Sequence, residues 1–356
     1  MTQRGFGFNL LMIAIALLIV LVGYGSHLRS QAAIPTPVER SSSTPASPER
    51  RSSGLFRIVQ NGKYGFMDRT GKVVIQPQFD LAWSFVEGRA QIKQDDQYGF
   101  IDETGKPAIP PTFRLAFTFS DGLALIVIGT QYGYIDKTGT VVIPTQYDEA
   151  LAFKDGLAPV KIGDRWGFID KTGKRVIQPQ FDYALSFSEE LAAVQMGDKR
   201  GYIDKTGKLV IQPQFEGDWI SGMWSFSDGL AGIQRGETWG YIDNTGTVVI
   251  QPQFDEIREF YEGLAPVSLN DKWGYINKTG ETVISPQFDS VNRFSEGLAA
   301  VKVNDQYGYI DTTGSVIIPH QFDLALNFTD GLALVYKGGK ASYIDKTGTH
   351  IWTQTD

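Results

Sequence analysis

The chain has 356 residues, no cysteine and a formal net charge of −7. Lack of cysteine excludes a disulfide-stapled scaffold, a thiolate nucleophile and a cysteine metal site. With the five arginines and two glutamates before residue 54 set aside, 28 basic and 38 acidic residues remain, a net charge of −10, which argues against a nucleic-acid backbone as partner.

Residues 10–22 are 13 unbroken apolar positions behind Arg4, and the wider stretch 6–24 spans 19. A bilayer-crossing helix takes roughly 20 apolar residues, which the wider stretch nearly reaches. A signal peptide has an apolar region of about 7–15 residues ahead of small residues, and Ser30-Gln31-Ala32 fits that description. Residues 1–32 are therefore read as a membrane anchor, with a cleaved signal peptide as the alternative. Either implies export, with the remainder held outside the cytoplasm or released to the periplasm or beyond. Residues 33–53 are rich in Pro and Ser and poor in large apolar side chains. Such a segment buries too little surface to offset chain entropy, so it reads as a disordered tether.

From residue 54 to 356 one phrase returns nine times: aromatic, Gly, aromatic, apolar, Asp, any residue, Thr-Gly. The central glycine stands at 65, 99, 133, 167, 201, 240, 274 and 308, with Ser342 in the ninth place, and each step is 34 residues except 201 to 240, which is 39. A fixed period of this size signals a repeat architecture. Gly and Pro in every unit, with many Val, Ile, Phe and Tyr, favour strands and turns over paired helices. One unit reads as three short strands, beginning at Leu157, Arg165 and Lys174. Asp170-Lys171-Thr172-Gly173 suits a type I turn, with Gly at positive φ and the Asp side chain bonded to nearby backbone. The strand glycine leaves room for a neighbouring aromatic across its backbone, so Gly167→Val is expected to destabilise the array. The recurring Phe or Tyr at 79, 113, 147, 181, 215, 254, 288 and 322 is expected to anchor a connector between units. Propeller blades usually have four strands and longer repeats. Three strands per 34 residues therefore favour an all-β, open superhelical or arc-shaped solenoid with two distinct ends. A closed propeller-like ring is the alternative.

With those residues in view, the chain resembles the WG-repeat (KWG-repeat) proteins. Trp166-Gly167, Trp239-Gly240 and Trp273-Gly274 carry the signature, Tyr-Gly replaces it at 64, 98, 132 and 307, and Arg200-Gly201 and Ala341-Ser342 depart from it. The resemblance implies a bacterial all-β repeat module without shared catalytic residues, and the departure at Ser342 suggests a modified terminal cap.

His27, His320 and His350 have no partners at ligand spacing, so no metal site is expected. One carboxylate per turn falls short of the 6–8 oxygens calcium takes. No nucleophile elbow or phosphate loop is present, and no cofactor is expected. The one break in rhythm is a five-residue gain between Phe215 and Phe226, which holds Trp219, Met223 and Trp224. Insertions in repeats map to loops that often bind, and such side chains anchor interfaces. These three are candidate partner contacts. The bland alternative is that they fill a gap between units, and then Trp219→Ala would lower thermal stability and leave binding intact. The functional expectation is a non-enzymatic, envelope-associated scaffold that binds protein or glycan. The alternatives are a purely structural array, or a glycan hydrolase with two carboxylates roughly 5–9.5 Å apart in a cleft.

Overall fold

The structure, a computed structural model, describes residues 53–216 and 225–355. The expected apolar helix and tether lie outside the described residues. Nine antiparallel sheets follow one another along the chain. We call them blades 1 to 9; they span residues 56–79, 81–113, 115–147, 149–181, 183–215, 230–254, 256–288, 290–322 and 324–353. Blades 1 and 6 have three described strands and the other seven have four. The fourth strand is the expected connector. In blade 4 it is Glu149–Ala150, which pairs with Leu157–Ile162, followed by Arg165–Asp170 and Arg175–Phe181.

The connector strand lies on the inside and the last strand on the outside. Segments that follow neighbouring connector strands bond to one another: Ser120 Oγ donates to Phe153 O at 2.6 Å and Ser186 Oγ to Ala152 O at 3.0 Å. Last strands instead expose valines such as Val74, Val176, Val210, Val249 and Val283. Sheets that converge at one edge and diverge at the other are arranged radially.

Each face-to-face junction is built alike. An aromatic from the second long strand meets the phenylalanine behind the next blade's inner strand, as Tyr134 meets Phe153. Their ring centroids are 4.7–5.1 Å apart at all eight junctions that the chain itself crosses. Such pairs contribute about 0.5–1.5 kcal/mol beyond area burial. The expected connector anchors are in the core: Phe79, Tyr147, Phe181, Phe215, Phe254, Phe288 and Phe322 are all at most 5% exposed.

The Thr-Gly turns form as expected. All nine turn glycines have φ between 83° and 87°. In blade 4, Asp170 Oδ1 accepts from Thr172 N, Thr172 Oγ1 and Lys174 N at 2.9, 2.6 and 3.1 Å. Asn277 makes the same contacts to Thr279 and Glu281 in blade 7.

Strand glycine has a different cause from the one expected. Backbone of the outer strand, rather than a ring, lies nearest to where its side chain would be. The outer strand bulges, so that Trp166 pairs with Phe181 and Phe168 with Ile177, and Gly167 alone faces Gln178-Pro179-Gln180. A Cβ on Gly167 would stand 2.5 Å from Ile177 O, 2.7 Å from Pro179 N and 2.9 Å from Gln178 C. The bulge proline also blunts the outer edge, because it lacks an N–H and the local ladder is broken.

The open solenoid with two ends is corrected: the ends meet. Phe56, Ile58 and Met67 of blade 1 share a buried cluster with Leu332 and Tyr343 of blade 9. Tyr343 Oη donates to Arg57 O at 2.9 Å, Gln60 Nε2 to Thr355 Oγ1 at 3.1 Å, and Arg69 pairs with Asp330 at 3.3 Å. The three-strand count misled because a two-residue inner strand such as Tyr183–Ala184 is too short to show alternation. The described residues form a closed, nine-bladed β-propeller, and the modified last blade is one side of a seam rather than a cap.

Candidate binding surfaces

Most recurring polar side chains are engaged within the architecture. The first long strand pairs its start with the end of the second, as Leu157 with Asp170. The acidic-Gly turns and the Asp-x-Thr-Gly turns therefore share one rim of the ring. There, Gly122 N donates to Glu87, Gly156 N to Asp121, Gly263 N to Asp228 and Gly297 N to Glu262, at 2.7–2.9 Å. Each acid thus binds the turn of the following blade. Lys137–Glu87 and Lys346–Glu296, both 3.1 Å, repeat the blade-to-blade link, and Arg69–Asp330 makes it across the seam.

Hydrogen bonds from Thr side chains, followed by backbone N–H donors, hold the turn aspartates 68, 102, 136, 170, 204, 243, 311 and 345 below the ordinary carboxylate pKa. A depressed folded pKa gives stability that is present above the unfolded value of about 4 and lost as pH falls through the lower, folded values. Thermal melts are therefore expected to fall together as pH drops below about 4. Asn277→Asp should add one more low-titrating carboxyl by NMR, and an ordinary pKa at residue 277 would contradict the turn chemistry. Among the described residues, no group of three or more His, Asp or Glu is placed to hold a metal ion, and no helix is long and apolar enough to cross a membrane.

The repeat loosens in the inner segment, which lies within the inner strand in blades 2 and 3 and behind it in blades 4, 5, 7, 8 and 9. Blades 2 to 5 carry Trp83-Ser84, Phe117-Thr118, Leu151-Ala152 and Leu185-Ser186, whereas blades 7 to 9 carry Arg258-Glu259, Asn292-Arg293 and Leu326-Asn327. Phe117 is 40% exposed. Trp83 lies 5.8 Å from the Tyr98 ring. On the polar arc, Arg258 lies over Trp273 at 4.6 Å and donates to Val291 O at 2.6 Å, Asn292 donates to Ala325 O at 3.1 Å, and Arg293 lies over Tyr261 at 4.0 Å. Around the ring, one arc is apolar or uncharged and the other carries charge. Sequence reading passed over this variation, although comparing the nine units column by column reveals it.

Trp219, Met223 and Trp224 lie outside the described residues. At the insertion's flanks, Gln214, Phe215, Glu216, Gln234, Arg235 and Gly236 line a hollow of about 310 Å³. Arg200, which replaces the signature Trp in blade 5, is 3% exposed. His320 has a buried Nε2 without a hydrogen-bond partner, and burial lowers its pKa. His350 packs against Phe322 at 6.5 Å. His27 is outside the described residues.

The chain belongs to the WG-repeat family: the WG containing repeat matches at residues 64–98, 98–129, 132–166, 166–199, 201–239, 239–273, 273–307 and 307–340. Seven of the eight matches run from the second long strand of one blade to that of the next, and the match 98–129 stops in the turn just before it, so eight repeats build nine blades. No curated protein matches the chain in sequence. In structure it is similar to a eukaryotic initiation factor, at 11% identity and a TM-score of 0.63, over 84% of this chain and 95% of that one. That likeness concerns the fold alone. It is also similar to the dihydro-heme d1 dehydrogenase NirN, at 14% identity and a TM-score of 0.48, over 78% of this chain and 75% of that one. BamB from Moraxella catarrhalis aligns at 12% identity and a TM-score of 0.38, over 85% of this chain and 94% of that one.

Proposed function

We propose that the ring is a non-enzymatic binding scaffold that presents its inner segments to a protein or glycan partner. The observation that carries this reading is the contrast between columns. Core, turn and rim positions recur from blade to blade, while the inner segment changes from Trp83 and Phe117 to Arg258, Glu259 and Arg293. In a repeat array, constant columns serve stacking and variable ones are free to serve recognition. Exposed aromatics such as Phe117 are strong interface anchors.

Residues 10–22 and the Pro/Ser-rich stretch after them support an envelope setting, in which an anchor or exported signal places the ring outside the cytoplasm on a tether. A Trp83→Ala, Phe117→Ala double variant is expected to lose, by at least about tenfold, the species that wild type captures by cross-linking in native membranes, with little change in melting temperature. Undiminished capture would remove the inner segment from recognition. Fractionation of whole cells that leaves the protein in the cytosol would overturn the envelope setting.

A further inference from the structure

The inner edge of blade 1 differs from that of its neighbours. The hairpin turn Asn61-Gly62, with φ of 50° and 71°, makes Gln60 and Lys63 a hydrogen-bonded pair. Ile58–Gly65 and Phe56–Met67 then follow in the same phase. The main-chain groups of Arg57 and Val59 therefore point away from the next strand, toward the place an inner strand takes in blade 4. There Asp148 N donates to Lys161 O at 3.2 Å and Leu151 N to Pro159 O at 3.0 Å, and the Asp148 carboxylate accepts from Gly163 N at 2.9 Å. The main-chain bond recurs from Asp80, Asp182, Asp255, Asp289 and Asp323. So does the carboxylate bond, to Asp95, Gly197, Asn270, Asn304 and Gly338.

In blade 1 the counterparts are Val59 O, Arg57 O and Asn61 N. Tyr343 Oη occupies Arg57 O. Among the described residues nothing pairs with Val59 on that side, and no carboxylate caps Asn61 N. Arg57 and Val59 are half-buried, where Pro159 is buried. The residues directly ahead of the blade do not carry the required pattern. In the same register they put Ala46 where six blades have Asp, and Arg51 where eight have the junction Phe.

We propose that this edge takes a short extended segment of a partner protein with the pattern Asp-x-Ala, Val or Ile, added antiparallel along residues 57–61. The main chain of the segment bonds Val59, and its carboxylate caps Asn61 N–H. Main-chain bonds supply affinity in strand addition, and alternate side chains supply specificity. The acidic and small aliphatic requirements are those the inner strands of six other blades meet. This deepens the scaffold reading by naming a partner class. Its failure leaves the Trp83 and Phe117 capture result standing.

The test uses the full chain and a synthetic peptide of residues 146–153, the inner segment of blade 4. Without peptide, the Val59 amide is expected to exchange with solvent at least about tenfold faster than that of Lys161, its paired counterpart. Peptide should slow Val59 by about tenfold, and a peptide N-methylated at Asp148, or carrying Asp148→Asn, should bind at least about tenfold more weakly. Protection of Val59 equal to that of Lys161 in the free protein would overturn the proposal, because the edge would already be paired. Absence of binding at about 1 mM peptide, or equal binding of the N-methylated peptide, would overturn it as well.

Discussion

Gly167→Val is expected to destabilise the ring by about 3 kcal/mol, because the new side chain overlaps backbone that no rotamer change can move. The clash is with Ile177 O, Pro179 N and Gln178 C, all within 2.9 Å of a Cβ. The ninth blade supplies the control. There Ser342 pairs with Thr353 and Tyr343 with Trp352, without the bulge that faces Gly167. The outer strand reads His350–Thr353 without proline. Where the bulge is absent, a side chain is accommodated, so Ser342→Gly should cost less than about 1 kcal/mol. Chemical denaturation of both variants tests this. Equal costs would show that the bulge does not dictate the glycine.

Phe56→Ala should cost about 3–5 kcal/mol, the usual range for emptying a packed aromatic site. At the same position the other eight blades carry alanine, at 90, 124, 158, 192, 231, 265, 299 and 333, each at most 1% exposed. Alanine suits blades in which the junction phenylalanine sits nearby. Blade 1 lacks that phenylalanine, and Phe56 reaches Tyr343 instead, at 5.5 Å and 67° between rings. In an open arc the first blade's outer face would meet water, and its truncation would be nearly silent. A cost below about 1 kcal/mol would therefore count against closure.

Much of the fold was legible in local pattern. Asp-x-Thr-Gly specifies its turn through bonds within five residues, and the three long strands of each unit show as runs of apolar and aromatic residues. Closure was harder to read. It depends on a small rotation between units, set by how Tyr134 meets Phe153 and by the same contact at every junction, and no single unit encodes that sum. Yet the seam left a trace: Phe56 breaks an alanine column, Arg51 breaks a phenylalanine column, and Ser342 breaks the glycine column beside a strand without proline. Of these, Phe56 packs on Tyr343 across the seam, next in the chain to the departure at Ser342. The close backbone that demands the strand glycine was not legible, because pairing register, which the bulge shifts, is a property of two strands together. The candidate contacts Trp219, Met223 and Trp224 stood out by their irregular spacing. The inner segment keeps the 34-residue spacing and varies only in chemistry, so it shows only when the units are aligned.

Distance between the first and last blades is the measurement that bears most directly on closure. The chain has no native cysteine, so spin labels can be placed uniquely on an Arg69→Cys, Asp330→Cys variant and on a reference Lys137→Cys, Glu87→Cys variant. The first pair spans the seam and the second spans the equivalent link between blades 3 and 2. A closed ring predicts overlapping distance distributions from pulsed electron paramagnetic resonance for the two pairs. A seam distribution displaced to longer distances than the reference would contradict it.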